Sequence, residues 1–224
     1  MTEDTRSVIL RQAEFLIRTR GYAAFSYADL AQSAGITKAS VHYHFPTKED
    51  LVTVLVQHYL ARFIAKLDAI RQRHGEPGRR LRDYALLFLD GFDQGMLPLC
   101  GALSAERSAL PASMHATIHE FFRLHLEWLT GVLEEGLDMG ALRAGIAPDR
   151  AALLLLSALE GGTFVGWALQ RKDTVLTAFE AAMRDLELLP SAPGMVASWR
   201  NRASDKPPGG MVPTGDDSIR DRGK

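Results

Sequence analysis

Lys38, Ser40, His42, Tyr43 and His44 place five hydrogen-bonding side chains within seven consecutive positions of a 224-residue chain. On a helix of about two turns, such a set can grip phosphates and read base edges in a DNA groove. Val41 and Phe45, four apart, give the same helix a buried edge, and Thr37 can cap its start.

The preceding residues must position that helix. Ser26 can accept a bond from the Asp29 amide, and the Asp29 carboxylate suits the positive end of a helix starting there. Leu30 and Ala31, with Tyr27 behind them, give this second helix its inward face. Ala34-Gly35-Ile36 then breaks it. Gly35 can take the left-handed conformation of a tight turn, and Ile36 can plug the angle between the helices. Residues 26–48 therefore predict a helix-turn-helix.

Over about residues 6–60 the chain resembles the DNA-binding domain of the TetR/AcrR family of transcriptional regulators. The resemblance rests on Ile9-Leu10, Ala13 and Leu16-Ile17 before Gly21-Tyr22, then on Ser26, Asp29-Leu30-Ala31, Ala34-Gly35-Ile36, Thr37-Lys38 and Ser40. It continues through Tyr43-His44-Phe45 and Thr47-Lys48-Glu49-Asp50-Leu51. Ala39 stands where the family often has glycine and His42 where it usually has tyrosine, so the approach of the backbone to DNA and one contact differ. The resemblance implies that Thr37, Lys38, Ser40, His42, Tyr43 and His44 face double-stranded operator DNA, with Ser26 and Tyr27 completing the set. Thr37 and Tyr43 would hold phosphates, Lys48 would add a phosphate contact at the start of the fourth helix, and Lys38, Ser40 and His42 would read bases.

Composition agrees with a small reading head on a neutral body. The net charge is −1, the hydrophobic content 46%, and residues 1–48 carry six Lys/Arg against four Asp/Glu. A general nucleic-acid coat would be basic throughout. One cysteine cannot form an internal disulfide and the amino terminus has no signal-like apolar run, so a cytoplasmic location is expected. The sequence has no GxSxG elbow, P-loop or dinucleotide fingerprint, which argues against an enzyme, and it calls for no cofactor.

Beyond the head, Leu51, Leu55, Tyr59 and Phe63 mark a long fourth helix to about His74, stopped by Gly75-Glu76-Pro77-Gly78. Further helices are expected near 79–91, 97–109, 112–138, 149–171 and 173–188. The expected fold is all-α: a three-helix helix-turn-helix domain (1–50), a helical effector-binding and dimerisation domain (51–189), and a disordered tail (190–224) with five prolines and five glycines.

Ala151–Leu169 has Glu160 as its only charge. It is long enough to span a membrane, but Glu160, Ser157, Thr163 and three glycines interrupt it, so no membrane is expected. The last two long helices resemble the family's four-helix dimer interface, with Ala158, Gly162 and Gly166 admitting a partner helix of a homodimer; a monomeric core helix is the alternative.

Phe88, Phe92, Met96, Leu103 and Phe121 can surround a small apolar or amphipathic effector, and Phe122, Trp128, Phe164 and Trp167 extend that apolar set. Cys100, near a helix start resembling one in some family members, could serve a redox or electrophile sensor. His115 and His119 have a metal-like spacing but no further ligand set, so no metal is expected, and His125 joins the effector candidates. The implied function is a homodimeric repressor released from its operator by an effector. The alternatives are the cysteine sensor and an effector-independent DNA-binding factor.

Overall fold

Two reciprocal caps fix the start of the helices that matter most. Ser26 Oγ accepts the Asp29 amide at 3.3 Å while the Asp29 carboxylate accepts the Ser26 amide at 2.7 Å. Thr47 and Asp50 repeat the arrangement at 3.1 and 3.2 Å. Gly35 takes the turn at φ +67, the left-handed conformation that a side chain would disfavour. In this computed structural model, which describes residues 4–142 and 145–186, every regular element is helical.

The head comprises α1 (Thr5–Arg20), α2 (Tyr27–Ala34) and α3 (Lys38–His44), and α4 (Lys48–Arg73) leads away from it. Ile9, Leu16, Leu30, Val41, Phe45 and Leu51 close the head's core, each nearly or wholly buried. The boundary expected at residue 50 falls inside the first turn of α4, which runs on unbroken. The body follows as α5 (Pro77–Leu86), α6 (Leu99–Ala105), α7 (Ala112–Asp138), α8 (Pro148–Leu169) and α9 (Asp173–Asp185).

Two expected helices are shorter than their sequence pattern. The helix expected over 79–91 starts at Pro77, a position where the missing amide costs nothing, and gives way to a 3-10 turn at Leu87–Leu89. The helix expected over 97–109 is α6 followed by a 3-10 turn at Arg107–Ala109. Gly91 and Gly95, both at positive φ, carry the chain between α5 and α6.

α8 has the length and apolarity of a membrane span, and it packs against α7 and α9. Its small residues serve that packing. A Cβ at Gly162 would lie 3.1 Å from Val175 Cα, and one at Gly166 would lie 2.7 Å from the Arg171 carbonyl. Gly162 and Gly166 therefore face α9 of their own chain, contrary to the expectation that they meet a partner, and Ala158 is half-buried. The exposed side of α8 instead carries Leu154, Val165 and Leu169, at 46%, 51% and 58% exposure. The expected tail at 190–224 lies outside the described residues.

Candidate DNA interface and buried chamber

Burial of Val41 and Phe45 decides what α3 can offer. With that edge packed, Lys38, Ala39, His42 and Tyr43 are exposed and Ser40 and His44 half-buried. Tyr43 is 84% exposed, and its ring meets His44 edge-on at 5.2 Å. Thr37 Oγ1 accepts the Ser40 amide at 3.1 Å, so its oxygen is already engaged as a cap. His42 is braced rather than free: its ring lies 4.7 Å from that of Tyr27, and its Nδ1 sits 3.4 Å from the Pro46 carbonyl.

Three sequence-derived DNA candidates have other work. Tyr27 is buried, and its hydroxyl donates to the Phe45 carbonyl at 2.9 Å, tying α2 to the end of α3. Ser26 has its hydroxyl on the Asp29 carboxylate at 2.6 Å. Lys48 Nζ donates to the carbonyls of Tyr22 and Phe25 at 2.5 and 2.6 Å and lies 4.4 and 4.0 Å from their ring centres. Burial holds its pKa below the usual lysine value. Its charge holds the loop between α1 and α2, where the sequence suggested a phosphate contact at the start of the fourth helix.

The body contains a second polar constellation. The hydroxyl of Tyr84 on α5 is hydrogen-bonded to His125 Nδ1 on α7 at 2.5 Å. Phe63 stacks on His125 at 4.2 Å, Phe121 lies 4.3 Å away, and Trp128 stacks on Tyr84 at 5.2 Å. Four buried atoms here have no hydrogen-bond partner: His125 Nε2, Trp128 Nε1 and both carboxyl oxygens of Glu160 on α8. Burial pushes the Glu160 carboxyl up to about 7 and the His125 imidazolium down to about 3. His125 and Glu160 line one cavity of about 20 Å³, together with Arg18, Tyr59, Phe63, Phe88 and Phe121.

Of the effector candidates, only Phe88, Phe121 and His125 line that cavity. Cys100, Leu103 and Trp128 are buried but do not line it, and Phe164 is half-buried near Gly101. Phe92, Met96 and Trp167 belong elsewhere: Phe92 packs on Gly166, Met96 on Gly91, and Trp167 donates to the Gly95 carbonyl at 3.3 Å from a partly exposed position. Cys100 is fully buried, and burial followed by the nearby Glu160 carboxylate raises its thiol pKa well above the ordinary value. That is opposite to the activation expected of a helix-start thiol, and it removes the physical basis of a cysteine sensor. His115 Nε2 lies 3.1 Å from the Arg107 carbonyl, and among the described residues no three metal-type ligands converge.

The chamber and the head share Arg18. Arg18, near the end of α1, lines the cavity, donates to the Leu97 and Asp90 carbonyls at 2.7 and 2.8 Å, and pairs with Glu14. Its own carbonyl accepts the Leu97 amide at 3.0 Å. Glu106, at the end of α6, accepts the amides of Tyr22 and Ala23, each at 2.8 Å. Sequence reasoning missed Glu106, Arg18 and Tyr84. Glu160 was visible as the only charge in an apolar run, and that was its signal.

The sequence profile of the bacterial regulatory proteins of the tetR family matches residues 9–55. The HTH-type transcriptional repressor DhaR of Mycobacterium sp. (strain GP1) is 25% identical over 143 residues, 63% of this chain and 72% of that protein. The crystal structure of a TetR-family transcriptional regulator from Agrobacterium tumefaciens superposes with a TM-score of 0.77 at 29% identity, covering 81% of this chain and 97% of that one. A TetR transcriptional regulator from Legionella pneumophila gives 0.74 at 27% identity, covering 83% and 98%. With its capped helix-turn-helix, its helical body and these relatives, the chain belongs to the TetR family of DNA-binding transcriptional regulators.

Proposed function

We propose that the protein is a cytoplasmic repressor that binds a pseudo-palindromic operator as a homodimer and leaves it when a small amphipathic effector enters the chamber. Tyr43, 84% exposed on α3, grips phosphate, and Lys38, Ser40 and His42 read base edges. Thr37 and His44 flank them, while Lys48, Tyr27 and Ser26 act by holding the reading helix in place. The exposed apolar strip Leu154, Val165 and Leu169 on α8 meets its copy. The similarity to a named repressor supports the sign of regulation.

The observation that carries the effector mechanism is the sharing of Arg18 between chamber and head. A ligand that displaces the Arg18 wall or α6 pulls on α1 and on the Tyr22-Ala23 loop, and so changes the separation of the two heads. The effector must bind the DNA-incompetent arrangement more tightly, and about 1–3 kcal/mol of coupling is typical. The test is fluorescence anisotropy on an operator selected from a random DNA pool, titrated with a panel of small amphiphiles. Unchanged DNA affinity at saturation across the panel removes the effector from the mechanism.

A further inference from the structure

We propose that the chamber takes an uncharged ligand bearing a hydroxyl on a compact apolar or aromatic body, an alcohol or phenol, with the hydroxyl seated between His125 and Glu160. The assignment rests on the effector role proposed above and names the chemistry of that effector.

The polar groups define the head of the ligand. Among the described residues His125 Nδ1, 2.5 Å away, is the one hydrogen-bond partner of the Tyr84 hydroxyl; with the phenolic proton placed there, the neutral imidazole carries its own proton on Nε2. That N–H is a buried donor without an acceptor, and Glu160 offers two buried oxygens without a donor. Both residues line one cavity of about 20 Å³, room for about one oxygen-sized group. A single group must therefore accept from His125 and donate to Glu160. An ammonium has no lone pair for His125, and a carboxylate would face Glu160 with like charge. A hydroxyl does both, whether Glu160 is protonated or not.

The walls define the body. Tyr59, Phe63, Phe88 and Phe121 close around the cavity with aromatic surface. A second cleft of about 230 Å³ shares Arg18, Tyr59, Phe63, Leu87 and Asp90 with it and supplies the space that the inner cavity lacks. The Glu14–Arg62 and Lys66–Asp90 ion pairs, at 2.5 and 2.8 Å, line that cleft. Gly101 leaves space for the Glu160 carboxyl, since a Cβ there would lie 2.7 Å from Glu160 Oε2.

The test is calorimetric titration of the full chain without DNA, using 4-alkylphenols with methyl to butyl chains. The matching alkylbenzenes, 4-alkylanisoles and 4-alkylbenzylamines serve as probes lacking the hydroxyl, its proton or its neutrality. At least one phenol is expected to saturate one site per protomer and to bind tenfold or more tighter than its alkylbenzene and anisole counterparts, about the worth of one hydrogen bond to a buried polar group. Glu160→Leu is expected to erase that margin and Glu160→Gln to keep part of it; the ligand series on the unaltered chain decides the matter even if Glu160→Leu fails to fold. Equal binding of the alkylbenzene, tighter binding of the amine, or no saturable binding of any phenol overturns the assignment, the last leaving water as the occupant. Phenols that bind by these rules without releasing operator DNA uphold the site and refute the effector role. Release of DNA by other compounds while phenols ignore the chamber does the reverse.

Discussion

Replacing Glu160 by glutamine is expected to remove a loss of stability that grows with pH. The folded chain holds this carboxyl at about 7 against an ordinary 4.5, because burial penalises its charged form. At about 1.4 kcal/mol per tenfold change in proton affinity, the ionised folded state carries a penalty of about 3 kcal/mol. The sign follows from the direction. Below pH 4.5 the group is protonated folded or unfolded and the penalty is absent; it grows between 4.5 and 7 as only the unfolded chain ionises, and is complete above 7. Tyr84 and Cys100, which face Glu160, stay neutral through this window because burial raises both. His125 acts in the opposite sense, its depressed pKa removing stability as pH falls from 6.5 towards 3, but this applies to both proteins. Between pH 5 and 8, stability of the unaltered chain should therefore fall relative to Glu160→Gln by about 2.5 kcal/mol, or about 5–10 °C in Tm. Urea unfolding at fixed protein concentration across that range measures it. A stability difference between the two proteins that does not vary from pH 5 to 8 would refute the buried, unpaired carboxyl.

Other consequences can be checked separately. Glu106→Ala removes the acceptor of two amides at 2.8 Å and should cost about 1–2 kcal/mol in urea unfolding while weakening the effect of any effector on DNA affinity. Tyr27→Phe should lose about 1 kcal/mol of stability through its buried bond to Phe45, yet leave DNA affinity of the folded fraction unchanged; a selective loss of affinity would return Tyr27 to the DNA surface. Lys38→Ala should alter sequence preference in a random-pool selection, whereas Tyr43→Phe should weaken all sites about equally. Val165→Arg, placing charge on the exposed strip of α8, should shift sedimentation towards monomer.

The head was legible because its determinants are local. Ser26 with Asp29, Gly35, and Val41 with Phe45 act within a few residues of one another, so spacing in the sequence is spacing in space. The ends of α4 and α7 followed for similar reasons. The body was less legible because a chamber is assembled from side chains far apart in the chain: Tyr84 meets His125 across 41 positions and Arg18 meets Leu97 across 79. An aromatic inventory could not separate Phe88 and Phe121, which line the cavity, from Phe92 and Trp167, which pack at the end of α8. The glycines of α8 misled for a different reason. Small residues mark a close approach without saying whose helix approaches, and here it is α9 of the same chain.

The geometry also limits how an effector can act. A cavity of about 20 Å³ cannot hold an amphiphile, so binding requires the aromatic walls or the Arg18 side to give way. Phe63 and Phe121 are buried among other rings, whereas Arg18 stands where the inner cavity and the outer cleft meet. Displacing Arg18 breaks its bonds to the Leu97 and Asp90 carbonyls, the same bonds that fasten α1 to the chain between α5 and α6. Each such charge-assisted bond is worth about 1–3 kcal/mol, so losing one supplies the whole of a typical allosteric coupling. The Glu106 contact to the Tyr22-Ala23 loop then becomes a second tether that must follow or fail. Arg18→Lys, which keeps the charge but cannot reach both carbonyls with a planar fork, should therefore loosen the head before any ligand is added. The expected signature is weaker DNA binding in the absence of effector and a smaller further loss in its presence; an undiminished effector response would place the transmission elsewhere.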